Sequence, residues 1–176
     1  MTPLEAFKFC PACGRARPAG EPRSPFHCAA CGFHYYFNPT VAVAALLVRP
    51  DGQALFIRRA RPPAQGRLAL AGGFIDIGET AEAALRREVR EEVNLEIGPC
   101  TFLGSWPNAY EYRGITYPVL DLIFHAPVAD SGAVRALDGV RSFAWLDPLA
   151  VDPASLAFPS MQEGLRLYQT RAAAQR

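Results

Sequence analysis

The sequence predicts an α/β protein, a mixed sheet sandwiched between helices, with a small four-cysteine module ahead of it. Three observations carry this. Apolar runs bounded by Pro, Gly and Asp punctuate the stretch from Val41 to Leu146 as strands. A long helical pattern follows a glycine turn in their midst, and a second helical pattern lies near the C-terminus. Two matched C-x-x-C knuckles stand in the first 37 residues. The boundaries drawn are residues 1–37 for the module and 38–176 for the main domain.

Cys10-Pro-Ala-Cys13 and Cys28-Ala-Ala-Cys31 are separated by 14 residues, just below the usual spacer between paired zinc knuckles. Four thiolates are the tetrahedral set that Zn²⁺ takes in a closed structural site. Gly14 and Gly32 directly follow the second Cys of each knuckle, where a tight turn lets backbone N–H groups approach sulfur. Disulfides are the competing reading, disfavoured because nothing in the sequence suggests secretion. His27 and His34 lie nearby, but four Cys complete the shell. So short a segment buries little core, and metal binding is expected to supply much of its folding free energy. Phe26, Phe33, Tyr35, Tyr36 and Phe37 read as packing between module and main domain rather than as a base-stacking platform.

From Asn38-Pro39 the chain enters an apolar strand over residues 41–48. It turns at Pro50-Asp51-Gly52 and returns as a second strand over Gln53–Arg59. Arg58, Arg59, Arg61 and Arg67 crowd the next loop. They read either as solvated charges or as a bidentate grip on phosphate, with Arg58 and Arg67 taken as the substrate contacts.

The apolar run Leu68–Ala71 ends in a glycine turn, and helix is predicted from Thr80. Leu85, Val89 and Val93 form its apolar stripe. Glu88, Glu91 and Glu92 share the adjacent face, within roughly 100° at 3.6 residues per turn. Carboxylates so placed repel each other. Arg86, Arg87 and Arg90 among them fit a solvated charged face. The sharper reading is a set of hard oxygen ligands for Mg²⁺ or Mn²⁺, which turns the repulsion into binding energy.

Beyond the helix, Glu96–Ser105 reads as a strand and Trp106–Gly114 as an aromatic-rich connection. Tyr117–Ala126 and Val140–Leu146 read as further strands. Ser160-Met161-Gln162-Glu163 fits a capping box opening a terminal helix with Met161, Leu165 and Tyr168 as its stripe. Cys100 reads as a small buried hydrophobe.

Half of the residues are hydrophobic and the net charge is +1, which leaves no basic balance for bulk nucleic-acid or membrane binding. Arg15, Arg17 and Arg23 are spread among prolines rather than clustered. No apolar run approaches the roughly 18 residues of a membrane span, and no signal pattern opens the chain. The expectation is a soluble, cytoplasmic protein.

Gly73, then Glu79 after five residues, Arg87-Glu88-Val89 after seven more, Glu91-Glu92 and Leu95 resemble the Nudix box, G-x5-E-x7-R-E-U-x-E-E-x-G-U with U aliphatic. Its last glycine is Asn94 here, the next best residue for a left-handed position just past a helix. The resemblance implies a Nudix-type α/β/α sandwich and hydrolysis of a nucleoside diphosphate linked to another moiety. It implies that Glu88, Glu91 and Glu92, with the Gly73 carbonyl, ligate Mg²⁺ or Mn²⁺. Arg87 and Glu79 complete the catalytic motif by bracing loop against helix. The general base is Glu88, Glu91, Glu92 or an acid from a downstream loop. A further acidic ligand is expected before the last strand, with Asp138 ranked ahead of Glu111 and Asp121.

A four-Cys ribbon ahead of such a domain is similar to the NADH pyrophosphatase branch, which cleaves NAD(H) and can remove NAD caps from RNA. The SQPWPFPxS array of that branch is absent; Gly104-Ser105-Trp106-Pro107-Asn108 shares only Ser, Trp and Pro. Trp106, Tyr110 and Tyr112 are taken as stacking surfaces for a purine, and ADP-ribose and FAD stand beside NADH as candidate substrates. Two other readings stay open: a nucleotide-sensing or RNA-binding module using its ribbon, and a ribbon serving as a homodimer interface.

Overall fold

The computed structural model describes residues 1–18, 20, 24–128 and 132–174, so Arg23 lies outside the described residues. They form two compact units, Met1–Thr40 with Ala109–Val119, and Val41–Asn108 with Leu120–Arg176.

The first unit opens with a single helical turn, α1 (Pro3–Ala6), closed by a capping box between Thr2 and Glu5. A two-residue antiparallel pair follows, β1 (Phe26–His27) with β2 (His34–Tyr35). The two knuckles are built alike: Gly14 N–H donates to the Cys10 carbonyl and Gly32 N–H to that of Cys28, with φ of 71° and 75° at the glycines. Cys10, Phe26 and Cys28 form a small buried core on which Phe7, Phe33 and Phe37 pack. The aromatics of this segment therefore pack largely on each other, and Tyr36 stays exposed.

The second unit is organised by β4 (Ala54–Arg59), which pairs with β8 (Val140–Leu146) along one edge. Along its other edge it meets β3 (Thr40–Val48) near Ala54 and β5 (Leu68–Ala69) near Ile57. The order continues from β3 to β7 (Ile115–Pro127) and then to β6 (Thr101–Tyr112) at the edge. Val128 N–H donates to the Val48 carbonyl, so β3 and β7 bring their C-terminal ends together and run parallel, which makes the sheet mixed. Helix α2 (Ala81–Val93) starts at Thr80, whose side chain caps Ala83 N–H, and it buries Leu85, Val89 and Val93 completely. Full burial of each such side chain contributes about 1.5–3 kcal/mol. Helix α3 (Pro159–Ala174) packs with Gly164 against Ile123 of β7, so tightly that a Cβ would stand 2.9 Å from Ile123 Cγ2.

Three expectations change. The aromatic stretch from Trp106 to Tyr112 is the second half of β6 and not a connection, and the strand starts at Thr101 and not at Glu96. Pro107 is compatible with β6 as the edge strand, since on such a strand every other position points its N–H away from the ladder. Ser160 lies inside α3 rather than at its cap, and its hydroxyl donates to the Asp121 carboxylate. Cys100 is half-buried rather than a core residue. Among the described residues no helix is long and apolar enough to cross a membrane.

Candidate active site

The glycine turn and the first half of α2 are joined through one guanidinium. Arg87 donates to both Glu79 oxygens at 2.9 Å, to Glu88 Oε1 at 2.8 Å, to Glu91 Oε2 at 3.3 Å and to the Phe74 carbonyl at 3.0 Å. Glu79 also accepts Asp76 N–H, so the loop is tied to the helix from both sides. These bonds, Arg87 first, pull the Glu79 carboxyl down to about 2 and raise Arg87 above its ordinary value.

The two glycines of the turn have different tasks. A Cβ on Gly72 would stand 2.1 Å from the Val43 carbonyl oxygen, so Gly72 lets the loop lie against β3. The atoms nearest to a Cβ on Gly73 would be those of the Glu88 carboxylate, at 2.5–2.6 Å. Gly73 is thus the gap into which Glu88 reaches, and its carbonyl accepts Val43 N–H at 2.8 Å. Sequence analysis did not single out Gly72, although the glycine doublet was its signal.

Burial raises the Glu88 carboxyl against the pull of Arg87. Glu92 is pushed up to about 8, chiefly by burial and further by the charges of Glu88 and Asp138, with Gly72 N–H at 2.9 Å opposing. Glu91 is exposed. Partly buried carboxylates that resist ionisation together are a donor set suited to a hard divalent cation. Their oxygens do not all lie within 4.8 Å of each other, because Arg87 draws Glu88 and Glu91 while Gly72 holds Glu92.

The C-terminal end of α2 is finished from far along the chain. Asn94 adopts φ 55° and ψ 38° and its N–H returns to the Arg90 carbonyl, the left-handed cap expected of the glycine it replaces. The carbonyls of Val93, Glu92 and Glu91 then accept N–H groups of Arg135, Leu137 and Asp138. This brings Asp138 beside the glutamates. Asp121 is elsewhere: it is buried on β7 and accepts from Asn108 and Ser160. Glu111 is exposed on β6 in the first unit.

The other sequence candidates are distributed as follows. Arg58 donates to the Gly66 carbonyl, and Arg67 to those of Ala154 and Leu156. Trp106 is half-buried with its ring against Gly104, where a Cβ would come within 2.6 Å of it. Tyr110 and Tyr112 belong to the first unit; Tyr112 is exposed, with Arg113 over its ring. The four thiols of Cys10, Cys13, Cys28 and Cys31 lie within 4.8 Å of one another, the one set among the described residues that does so. Two of the sulfur pairs are 3.7 Å apart, and a tetrahedral site with Zn–S of about 2.3 Å has edges of about 3.8 Å. The geometry is consistent with a zinc ribbon.

A sheet between helices, with a glycine gap receiving one glutamate and an arginine brace behind it, defines the class of the box. Residues 38–168 match the NUDIX domain, and the chain belongs to the Nudix hydrolase family. It is similar to the NAD-capped RNA hydrolase NudC of Stutzerimonas stutzeri, 29% identical over 151 residues, covering 84% of this chain and 51% of that one. NudC of Pseudomonas aeruginosa strain LESB58 is 28% identical over 148 residues, with 83% and 50% covered. The chain therefore spans about half the length of these curated relatives. A NUDIX hydrolase structure from Nitrosomonas europaea shares the fold at TM-score 0.69, with 23% identity over 93% of this chain and 91% of that one. A MutT NUDIX hydrolase from Burkholderia pseudomallei is 30% identical at TM-score 0.55, with 63% and 84% covered.

Proposed function

We propose that this Nudix hydrolase cleaves the diphosphate of a nucleoside diphosphate linked to another moiety, of the NADH, ADP-ribose or FAD type, releasing a nucleoside monophosphate. The observation that carries this is the Gly73 gap filled by the Glu88 carboxylate, with Glu92 half-buried beside it and Glu91 on the rim. Glu88, Glu91 and Glu92 would hold Mg²⁺ or Mn²⁺, with the Gly73 carbonyl and Asp138 as further oxygens. The cation supplies charge neutralisation at the diphosphate and activation of water. Arg87 and Glu79 keep the loop and helix in register while substrate binds, and one of the three glutamates takes the proton of the attacking water. Trp106 offers a flat surface for a base. Residues 1–37 form a structural zinc ribbon on Cys10, Cys13, Cys28 and Cys31, and residues 38–176 the catalytic domain.

The NudC relatives favour a second substrate form, the same diphosphate carried as a cap on RNA. A screen of NADH, NAD⁺, ADP-ribose, FAD and NAD-capped RNA with Mg²⁺ or Mn²⁺ tests both. AMP release from a member is the expected result. Glu91→Gln and Glu92→Gln should each lower turnover at least ~10²-fold with the fold intact. Wild-type rates from either variant would remove the metal-cluster reading.

A further inference from the structure

Four arginines surround the turn between β4 and β5, and the structure separates their tasks. Arg58 donates to the Gly66 carbonyl at 3.1 Å. Arg59 donates to that of Pro63 at 2.8 Å and lies over the Phe158 ring. Arg67 bonds the carbonyls of Ala154 and Leu156. Each of these guanidiniums holds main chain in place. Arg61 instead meets a carboxylate, Asp138 Oδ1 at 2.7 Å, and the two side chains are 67% and 70% exposed.

The partner is placed at the glutamate site. Asp138 N–H donates to the Glu91 carbonyl at 3.4 Å. A Cβ on the adjacent Gly139 would lie 3.8 Å from Glu92 Oε1. Ala60 N–H donates to the Gly139 carbonyl at 2.8 Å, which fixes the root of Arg61 to the same loop. An exposed ion pair contributes little and is readily exchanged. A guanidinium with a phosphate is a stronger, bidentate partner. Arg61 is therefore a cation beside the acidic site, held by a contact that a dianionic group outcompetes.

We infer that Arg61 grips the substrate's diphosphate at the glutamate site, and that it does so by leaving Asp138. The inference rests on the nucleoside diphosphate reading above. Before substrate arrives, Asp138 parks the guanidinium at the rim; afterwards the freed carboxylate stands next to Glu91 and Glu92.

Calorimetric titration with ADP and Mg²⁺, alongside steady-state kinetics on the panel compound that the wild type turns over, tests it. Arg61→Ala should weaken ADP at least tenfold and raise KM more than it lowers kcat, and Arg61→Lys should recover part of the loss. In a parallel titration without divalent cation, in EDTA, where the oxygen that Asp138 would offer a cation plays no part, Asp138→Asn should tighten ADP several-fold, and this gain should vanish in the Arg61→Ala/Asp138→Asn double variant. Arg166→Ala, which removes an equally exposed pair with Glu163 on α3, should leave ADP affinity unchanged. ADP affinity and KM within twofold of wild type in Arg61→Ala would overturn the inference. So would weaker ADP binding in Asp138→Asn without divalent cation, or a gain there that persists without Arg61. Wild-type protein that neither turns over a panel member nor binds ADP removes the nucleotide reading and this inference together. Wild-type turnover with Arg61→Ala indistinguishable removes this inference alone.

Discussion

Gly73→Ala isolates the contact on which the site is built. The added Cβ would stand 2.5 Å from Glu88 Oε1, and ordinary contact begins at 3.4 Å. The carboxylate must therefore retreat by about 0.9 Å, since a pair held inside its contact distance is strongly repulsive. Backbone strain does not contribute, because Gly73 lacks the positive φ of its neighbour Gly72. The atoms in the way are the free end of a flexible side chain, so the loss of stability should stay at or below about 1 kcal/mol, the low end of core overpacking. Displacing a reacting-site group by about 1 Å can cost up to ~10²-fold in rate. Activity should thus fall by one to two orders of magnitude in a variant that still folds.

The assay is kcat/KM on an ADP-linked substrate at saturating Mg²⁺, with stability from urea unfolding. In a Glu88→Ala background the nearest obstacle is gone, so Gly73→Ala should then cost less stability than it does in the wild type. The cycle should show a coupling of about 0.5–1 kcal/mol between neighbours in contact. A Gly73→Ala enzyme with wild-type kcat/KM, or two stability losses that simply add, would refute the assignment of Gly73 as the space for Glu88.

Further expectations follow from the same contacts. Gly72→Ala, whose Cβ would sit 2.1 Å from a backbone oxygen at φ +148°, should fail to fold stably, as measured by thermal unfolding. Glu79→Gln should be less stable than wild type at neutral pH. Because the folded carboxyl is depressed to about 2, the wild-type advantage should be complete above about pH 4.5 and should shrink as pH falls towards 2; a difference independent of pH would contradict the Arg87 pairing. Cys10→Ser should lower zinc content and stability together, read by metal analysis and unfolding, and normal stability without zinc would contradict a structural ribbon.

The box was legible because its residues are tied to local geometry. Thr80 caps, Leu85, Val89 and Val93 recur on one face, and Asn94 tolerates the left-handed turn, all within one window of sequence. The four cysteines were legible for the same reason, since each knuckle closes on itself through a glycine. The long hairpin was not. Pro107 and the aromatics around it signal a connection, and only the position of β6 at the sheet edge makes that proline harmless. The turn itself, Arg113-Gly114, needs positive φ at both residues, 50° and 79°, and an arginine there gives no warning. Ser160 failed as a cap because its hydroxyl is taken by Asp121, a residue 39 positions away.

What sequence distance hid most is how the acidic end of α2 is completed. Three carbonyls at a helix terminus need donors, and here these come from residues 135, 137 and 138 rather than from the residues that follow the helix. Those bonds place Asp138 at the rim of the glutamates, and Ala60 N–H joins the same loop to the arginine turn. A helix-capping requirement therefore positions an acid and a base, Asp138 and Arg61, at the mouth of a site to which neither belongs by motif. On the proposed function the motif would supply ligands for a cation, while the capping loop and the arginine turn would set which charge meets the anion that the cation accompanies.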